Sequence, residues 1–222
     1  MHKRPSIQVY PSILSGDFGR LAEEARRLQV AGADAIHVDI MDGQFVQNLT
    51  FGPKALEAIN RATPLFLDVH LMIYNPYPYI ETFVKAGADR ITFHFEATED
   101  VEDTIEFIRK CGVKAGVAFR PETSFSFVVK YLELCDLVLL MTVNPGFGGQ
   151  PFMPEVLEKV KLARQYCERH SLGPHIQVDG GIDLQTGAQC IEAGADVLVS
   201  GDYLFRRATD LKQGISELKR LI

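Results

Sequence analysis

Three absences narrow the possibilities for this 222-residue chain before any motif is considered. There is no apolar run long enough for a membrane. The most apolar segment, LVLLMTV at 137–143, is far short of the roughly 20 residues that a spanning helix needs, and the opening MHKRPSIQVYPSIL has no signal-peptide core. A soluble, cytoplasmic protein with no membrane partner is expected. Nor is there a basic cluster: 29 acidic residues stand against 23 basic ones, for a formal charge of −6, so nucleic acid is excluded as a partner. Finally, Cys111, Cys135, Cys167 and Cys190 form no CxxC pair, so they read as reduced, mostly buried thiols that carry no chemistry.

What is present is repetition. The tetrapeptide AGAD occurs at 31–34, 86–89 and 193–196, each time closing a helical pattern and opening a strand-like one. Its glycine suits the left-handed end of a helix, and the apolar run that follows is β-prone. The copies lie 55 and 107 residues apart, close to two and four units of a βα repeat of roughly 28 residues, which fits eight times into the chain. Eight strand-like runs (IQVYPSI, AIHVDIM, LFLDVHLM, RITFHFE, KAGVAF, LVLLMTV, HIQVDG and DVLVSG) alternate with helical patterns such as PEVLEKVKLARQYCERH. No linker interrupts them. An open doubly wound sheet would alternate too, but it usually has fewer strands, and the first turn, PSILSGDFG, is no dinucleotide fingerprint. The expectation is one α/β domain over residues 1–222, a (β/α)8 TIM barrel.

Active sites of such barrels lie at the C-terminal strand ends, and alternation says which side chains point inward. On the second strand Ile36, Val38 and Ile40 share one face, while His37, Asp39 and Met41 share the other. On the third, Asp68, His70 and Met72 oppose Leu67, Val69 and Leu71; on the seventh, Asp179 opposes Val178. His37, Asp39, His70 and Asp179 therefore meet in one region. Two buried carboxylates and two imidazoles are costly without compensation, and one divalent cation resolves the cost. The donor set suits zinc, iron(II), manganese or cobalt and does not choose among them. Asp68 reads as a paired core residue, and His94 and Glu96 as supporting or structural. A second constellation is glycine-rich: Gly146, Gly148, Gly149, Gly180, Gly181, Ser200 and Gly201 stand in the loops after strands six, seven and eight, where backbone N–H groups bind phosphate.

These residues fall within longer blocks. PSILSGDF, HVDIMDGQFVQNLTFGP, DVHLM, MTVNPGFGGQPF and VDGGI, in order over nearly the whole chain, resemble the signatures of the ribulose-phosphate 3-epimerase family. The resemblance implies a ribulose-phosphate-binding barrel that interconverts D-ribulose 5-phosphate and D-xylulose 5-phosphate in the pentose phosphate pathway, through an enediolate and with one bound divalent metal ion. It further implies His37, Asp39, His70 and Asp179 as metal ligands and Asp39 and Asp179 as the acid/base pair. Ser12, His70, Gly146, Phe147, Gly148, Gly149, Asp179, Gly180, Gly181, Ser200 and Gly201 would hold the phosphorylated ketose, with Met41, Met72 and Met141 lining the pocket.

Epimerisation at carbon 3 requires acids and bases on opposite faces of the substrate. A carboxylate facing a carbon acid is mismatched by roughly a dozen pK units, about 16 kcal/mol, which calls for a Lewis acid. The chain departs from the family's usual blocks at Gln44, Gln47 and Arg120 and in SGDYLF, which bears on loop geometry and sugar preference. A six-carbon ketose phosphate such as allulose 6-phosphate is the rival substrate, favoured less by the FGGQ loop. A decarboxylase would need a lysine that HVDIMDG lacks, and a non-catalytic barrel would not need both carboxylates. A homo-oligomer is expected, of symmetry that the sequence does not reveal.

Overall fold

The computed structural model describes residues 6–221; the leader-free reading of residues 1–5 and the outer limits of the 1–222 domain lie outside the described residues. Strands β1 (Gln8–Pro11), β2 (Ala35–Met41), β3 (Phe66–Met72), β4 (Arg90–His94), β5 (Lys114–Phe119), β6 (Leu137–Met141), β7 (His175–Asp179) and β8 (Val197–Ser200) are the inner ring. Helices α1 (Leu21–Ala31), α2 (Pro53–Ala62), α3 (Ile80–Lys85), α4 (Val101–Lys110), α5 (Phe125–Tyr131), α6 (Val156–His170), α7 (Leu184–Ala193) and α8 (Leu211–Lys219) alternate with them. The strands run parallel in the order β1-β8-β7-β6-β5-β4-β3-β2. Among the described residues, one parallel bridge, Ser12 to His37, spans the seam between β1 and β2. This is the (β/α)8 barrel that the repeat spacing implies.

Period-two patterning positions everything else. Ile36, Val38, Ile40, Leu67, Val69 and Leu71 face outward into the main core, against helix residues such as Leu28, Leu56 and Ile59. The opposite faces fill the barrel. Midway along it lies a polar layer in which Asp68 accepts from Arg90 Nε (2.8 Å) and Gln177 Nε2 (2.7 Å). The Arg90 guanidinium lies 5.5 Å from the Tyr10 ring centre and 5.3 Å from that of Phe66, which gives a buried charge two aromatic faces as well as a carboxylate.

The AGAD repeats have a second function at the N-terminal end of the barrel. Gly32, Gly87 and Gly194 sit at φ +84°, +108° and +116°, the left-handed geometry that ends a helix. The aspartate that follows then reaches back to the preceding strand. Asp34 accepts from Val9 N–H (2.8 Å), Asp89 from Leu67 N–H (2.7 Å) and Asp196 from Ile176 N–H (2.7 Å). Asp136, which follows ELC rather than AGA, accepts from Ala115 N–H in the same way (3.0 Å). In each case the aspartate's own N–H returns a bond to the same residue's carbonyl, at 2.9–3.2 Å. These four clamps close β1 to β2, β3 to β4, β5 to β6 and β7 to β8.

Asp196 is the most heavily used, because its carboxylate also receives Arg164 Nη2 at 3.1 Å and His175 Nδ1 at 2.7 Å while almost fully buried. Its removal would orphan a buried backbone N–H. Asp196→Ala is expected to lower unfolding free energy by about 2 to 3 kcal/mol in a urea titration; a loss below about 0.5 kcal/mol would show the clamp to be incidental.

Candidate active site

The C-terminal strand ends open on a cavity of about 380 Å³. Ser12, Asp39, Met41, Met72, Met141 and Asp179 line its reacting end, and Gly146, Phe147, Gly148, Gly149, Gly180, Gly181 and Gly201 its loop end. His37 and His70 lie behind Asp39 and are fully buried. Ser200 does not line the cavity; its hydroxyl donates to the Ile182 carbonyl at 2.8 Å. Gln44 and Gln47 are exposed and outside the lining. Arg120 is also outside it and clamps the β2 loop, with Nη2 donating to the Phe45 carbonyl and the guanidinium 4.4 Å from the Phe45 ring centre.

One ligand atom from each of His37, Asp39, His70 and Asp179 lies within 4.8 Å of the others. Ligands at about 2.0 to 2.2 Å from a common ion stand at most about 4.4 Å apart, so closing onto one needs shifts of only a few tenths of an ångström. The imidazoles are already aimed. His37 places Nδ1 2.8 Å from Asp68 Oδ2, which turns Nε2 toward the carboxylates of Asp39 (3.2 Å) and Asp179 (3.9 Å). That buried Nε2 has no hydrogen-bond partner, the orphan expected where an ion belongs.

His70 is set by a longer chain that begins at Glu96. Burial opposes ionisation of Glu96, but His94, the Thr123 hydroxyl and the Arg120 N–H outweigh it and hold the acid down at about 2. Burial, with lesser help from His70, keeps the His94 ring neutral, at about 4. At neutral pH, then, His94 Nδ1–H donates to Glu96 Oε2 (3.2 Å) and its Nε2 can only accept. His70 Nε2 stands 3.0 Å away and must be the donor. Burial keeps His70 neutral too, so its Nδ1 carries a lone pair, directed at Asp39 Oδ1 3.0 Å away. Two acceptors at that distance fit a cation between or beside them.

The two cavity carboxylates differ in state. Burial favours the neutral acid at Asp39, yet the charge of His37 overcomes it and holds Asp39 far below the usual carboxylate range. Ser12 Oγ donates to its Oδ2 at 2.6 Å. At Asp179 burial prevails, aided by the charge of Asp39, and the acid rises to about 7. His37 is opposed by burial but raised well above its ordinary value by Asp39 and Asp68.

The comparisons with known proteins point the same way. The model of the ribulose-phosphate 3 epimerase family matches residues 8–205. A ribulose-phosphate 3-epimerase of Chlamydia pneumoniae is 53% identical over 207 residues, covering 92% of this chain and 90% of that protein. The chain belongs to the ribulose-phosphate 3-epimerase family. A further relative, the ribulose-phosphate 3-epimerase of Bacillus subtilis, is 47% identical and covers 96% of this chain and 98% of its own length. Among solved structures, 3-hexulose-6-phosphate synthase from Salmonella typhimurium has a TM-score of 0.70 at 17% identity, covering 97% of this chain and 98% of that one, a likeness of fold alone.

Within this epimerase-family chain the structure adds residues that sequence reading left aside. Asp68, read as a paired core residue, orients His37, and His94 with Glu96 orients His70. Asn48 ties the β2 loop to the β6 loop through the Gly146 carbonyl at 2.7 Å. Thr142 and Thr186 hydroxyls engage the Gly180 and Gly181 carbonyls at 2.7 and 2.8 Å, which occupies acceptors that would otherwise repel an anion. Asp68, Asn48 and Thr142 lie within the signature blocks, but their roles are identified only by partners from a different strand or loop.

Two measurements check this geometry. In Glu96→Gln the amide would donate to His94 and reverse the chain, presenting a proton rather than a lone pair at His70 Nδ1. Affinity for Zn²⁺ or Mn²⁺, read by competition with a chelating dye, is expected to fall about 10- to 100-fold with melting temperature little changed; unchanged affinity would refute the relay. Second, binding a cation must displace the protons of both Asp179 and the raised His37, so affinity should climb by more than about tenfold per pH unit below about 7 and keep rising above it until His37 is neutral. A profile flat from pH 5 to 7 would contradict the raised Asp179.

Proposed function

We propose that the chain interconverts D-ribulose 5-phosphate and D-xylulose 5-phosphate by moving the proton on carbon 3, the epimerase step of the pentose phosphate pathway, with Asp39 and Asp179 as the acid/base pair. The observation that carries the reading is the pair of carboxylates that reach one cavity from different strands, Asp39 from β2 and Asp179 from β7. Each can accept or return a proton, and from separate strands they meet the need for deprotonation on one face and reprotonation on the other. Reversal of the reaction exchanges their duties.

His37, Asp39, His70 and Asp179 would hold one divalent cation, of zinc, iron(II), manganese or cobalt type. When bound it supplies Lewis-acid stabilisation of the negative charge that develops on the sugar oxygens. The protein's own groups do the rest. Ser12, donating to Asp39 Oδ2, fixes the rotamer of that carboxylate and leaves Oδ1 to face the two imidazoles. Met41, Met72 and Met141 give the reacting end an apolar, adaptable wall that limits water around a carbanion-like carbon. The phosphate goes to the loop end, where Gly146, Gly149, Gly180 and Gly181 all take positive φ and form concave backbone turns.

The test is an epimerisation assay on D-ribulose 5-phosphate and allulose 6-phosphate with metal-stripped and metal-restored protein. Turnover of the pentose that disappears on stripping and returns on restoration is expected; activity on the hexose alone would sink the substrate, and full activity without metal would sink the mechanism. Asp39→Asn and Asp179→Asn are each expected to lose 10²-fold or more in kcat.

A further inference from the structure

The loop end of the cavity carries a feature that glycine turns do not explain. Among the described residues, Arg207 is the only cationic side chain that lines the cavity, and it lies between two carboxylates that also line it, Asp183 and Asp202. Arg207 Nη1 is 3.4 Å from Asp183 Oδ2 and its Nε 3.2 Å from Asp202 Oδ2. Both acids are held by other duties. Asp183 caps α7, its Oδ1 accepting the N–H groups of Gln185 and Thr186, and Asp202 Oδ1 binds Arg206 Nη1 at 3.1 Å.

Local backbone geometry makes this possible. Residues Tyr203–Arg207 form one π-helical turn, sealed by Ala208 N–H donating to the Tyr203 carbonyl at 2.8 Å. In an α-helix residue i+5 points away from residue i, but the wider turn swings it back, so both Arg206 and Arg207 reach Asp202. The π turn thus aims Arg207 into the cavity rather than along the outer wall.

We propose that Arg207 is the side chain that receives the substrate's phosphate, held ready by Asp183 and Asp202, and that it sets the preference for a phosphorylated sugar; the identity of that sugar rests on the function proposed above. The two carboxylates are balanced by Arg207 in the lining and by Arg206, which pairs with Asp202 from outside it. Without Arg207 this end of the cavity would carry net negative charge, and an arriving phosphate dianion would meet repulsion instead of a donor. The present contacts use Nε and Nη1 of a group with five N–H donors, so the planar fork has donors left for phosphate oxygens. Asp202 lies opposite the GFGG loop, its Oδ1 3.9 Å from where a Cβ on Gly149 would stand, which places Arg207 at the same end as the glycine turns.

The experiment is a titration of metal-loaded wild type and Arg207→Gln with inorganic phosphate, followed by ³¹P NMR or calorimetry, alongside steady-state kinetics on D-ribulose 5-phosphate. Charge-assisted hydrogen bonds of this kind predict phosphate binding weaker by about tenfold or more and KM raised by a similar factor, with kcat within about threefold. Unchanged phosphate affinity would overturn the proposal, as would a loss confined to kcat, which would make Arg207 a strut for the loop. If Arg207→Gln melts without a cooperative transition, Arg207→Lys serves instead: the charge stays and the fork is lost, and phosphate affinity must then drop measurably below wild type or the proposal fails. Because the titration needs no turnover, wild type that binds phosphate through Arg207 but does not epimerise would remove the proposed reaction and leave the anion site standing.

Discussion

His70 Nδ1 and Asp39 Oδ1 face each other at 3.0 Å with nothing to share between two acceptors, and much of the barrel's polar interior serves to keep them so. An imidazole left to itself would relieve this contact by changing tautomer or rotating. It is prevented from doing so by His94 and Glu96 on one side, and His37 is prevented by Asp68 on the other. Asp68 can serve because Arg90 and Gln177 satisfy it from below. Buried groups arranged this way weaken the isolated scaffold, since each lost its hydration on folding. The compensation comes from the wall of branched side chains around β2 and β3, where Ile36, Val38, Leu67 and Leu71 are fully buried.

The same residue type is put to opposed uses by its surroundings. Asp39 lies between two imidazoles and stays charged, whereas Asp179, with burial and a charged neighbour against it, keeps its proton to about 7. Asp183 and Asp202 sit farther out, where arginines balance them. From floor to mouth the cavity thus passes from groups that suit a cation and a proton transfer to groups that suit an anion. A substrate with an enolisable centre at one end and a phosphate at the other fits that polarity in one orientation only.

Much of this was legible in the sequence because strand alternation is strict. His37, Asp39, His70 and Asp179 were placed by period two alone, and the glycine loops by their position after β6, β7 and β8. The supporting groups were not, for physical reasons. Asp68 looks like any inward carboxylate until Arg90, 22 residues later, and Gln177, 109 residues later, are seen to meet it. Glu96 depends on Thr123 and on the backbone of Arg120. Arg207 would point elsewhere in a regular helix, and no composition rule signals a single π turn. Ser200 shows the converse: its motif sits at the cavity, but its hydroxyl is committed to the Ile182 carbonyl.

The aspartate clamps imply an order of assembly. They span 25, 22, 21 and 20 residues, so each closes a short loop at modest entropic cost and joins strands that are neighbours in the chain. Four two-stranded quarters can therefore form from local information. The reacting end differs, because it takes His37 and Asp39 from the first quarter, His70 from the second and Asp179 from the last. Contacts of that sequence separation are slow to form. Chemistry in this barrel becomes possible only when the quarters have joined into one ring, which brings Asp179 of the last quarter to His37, Asp39 and His70 of the first two.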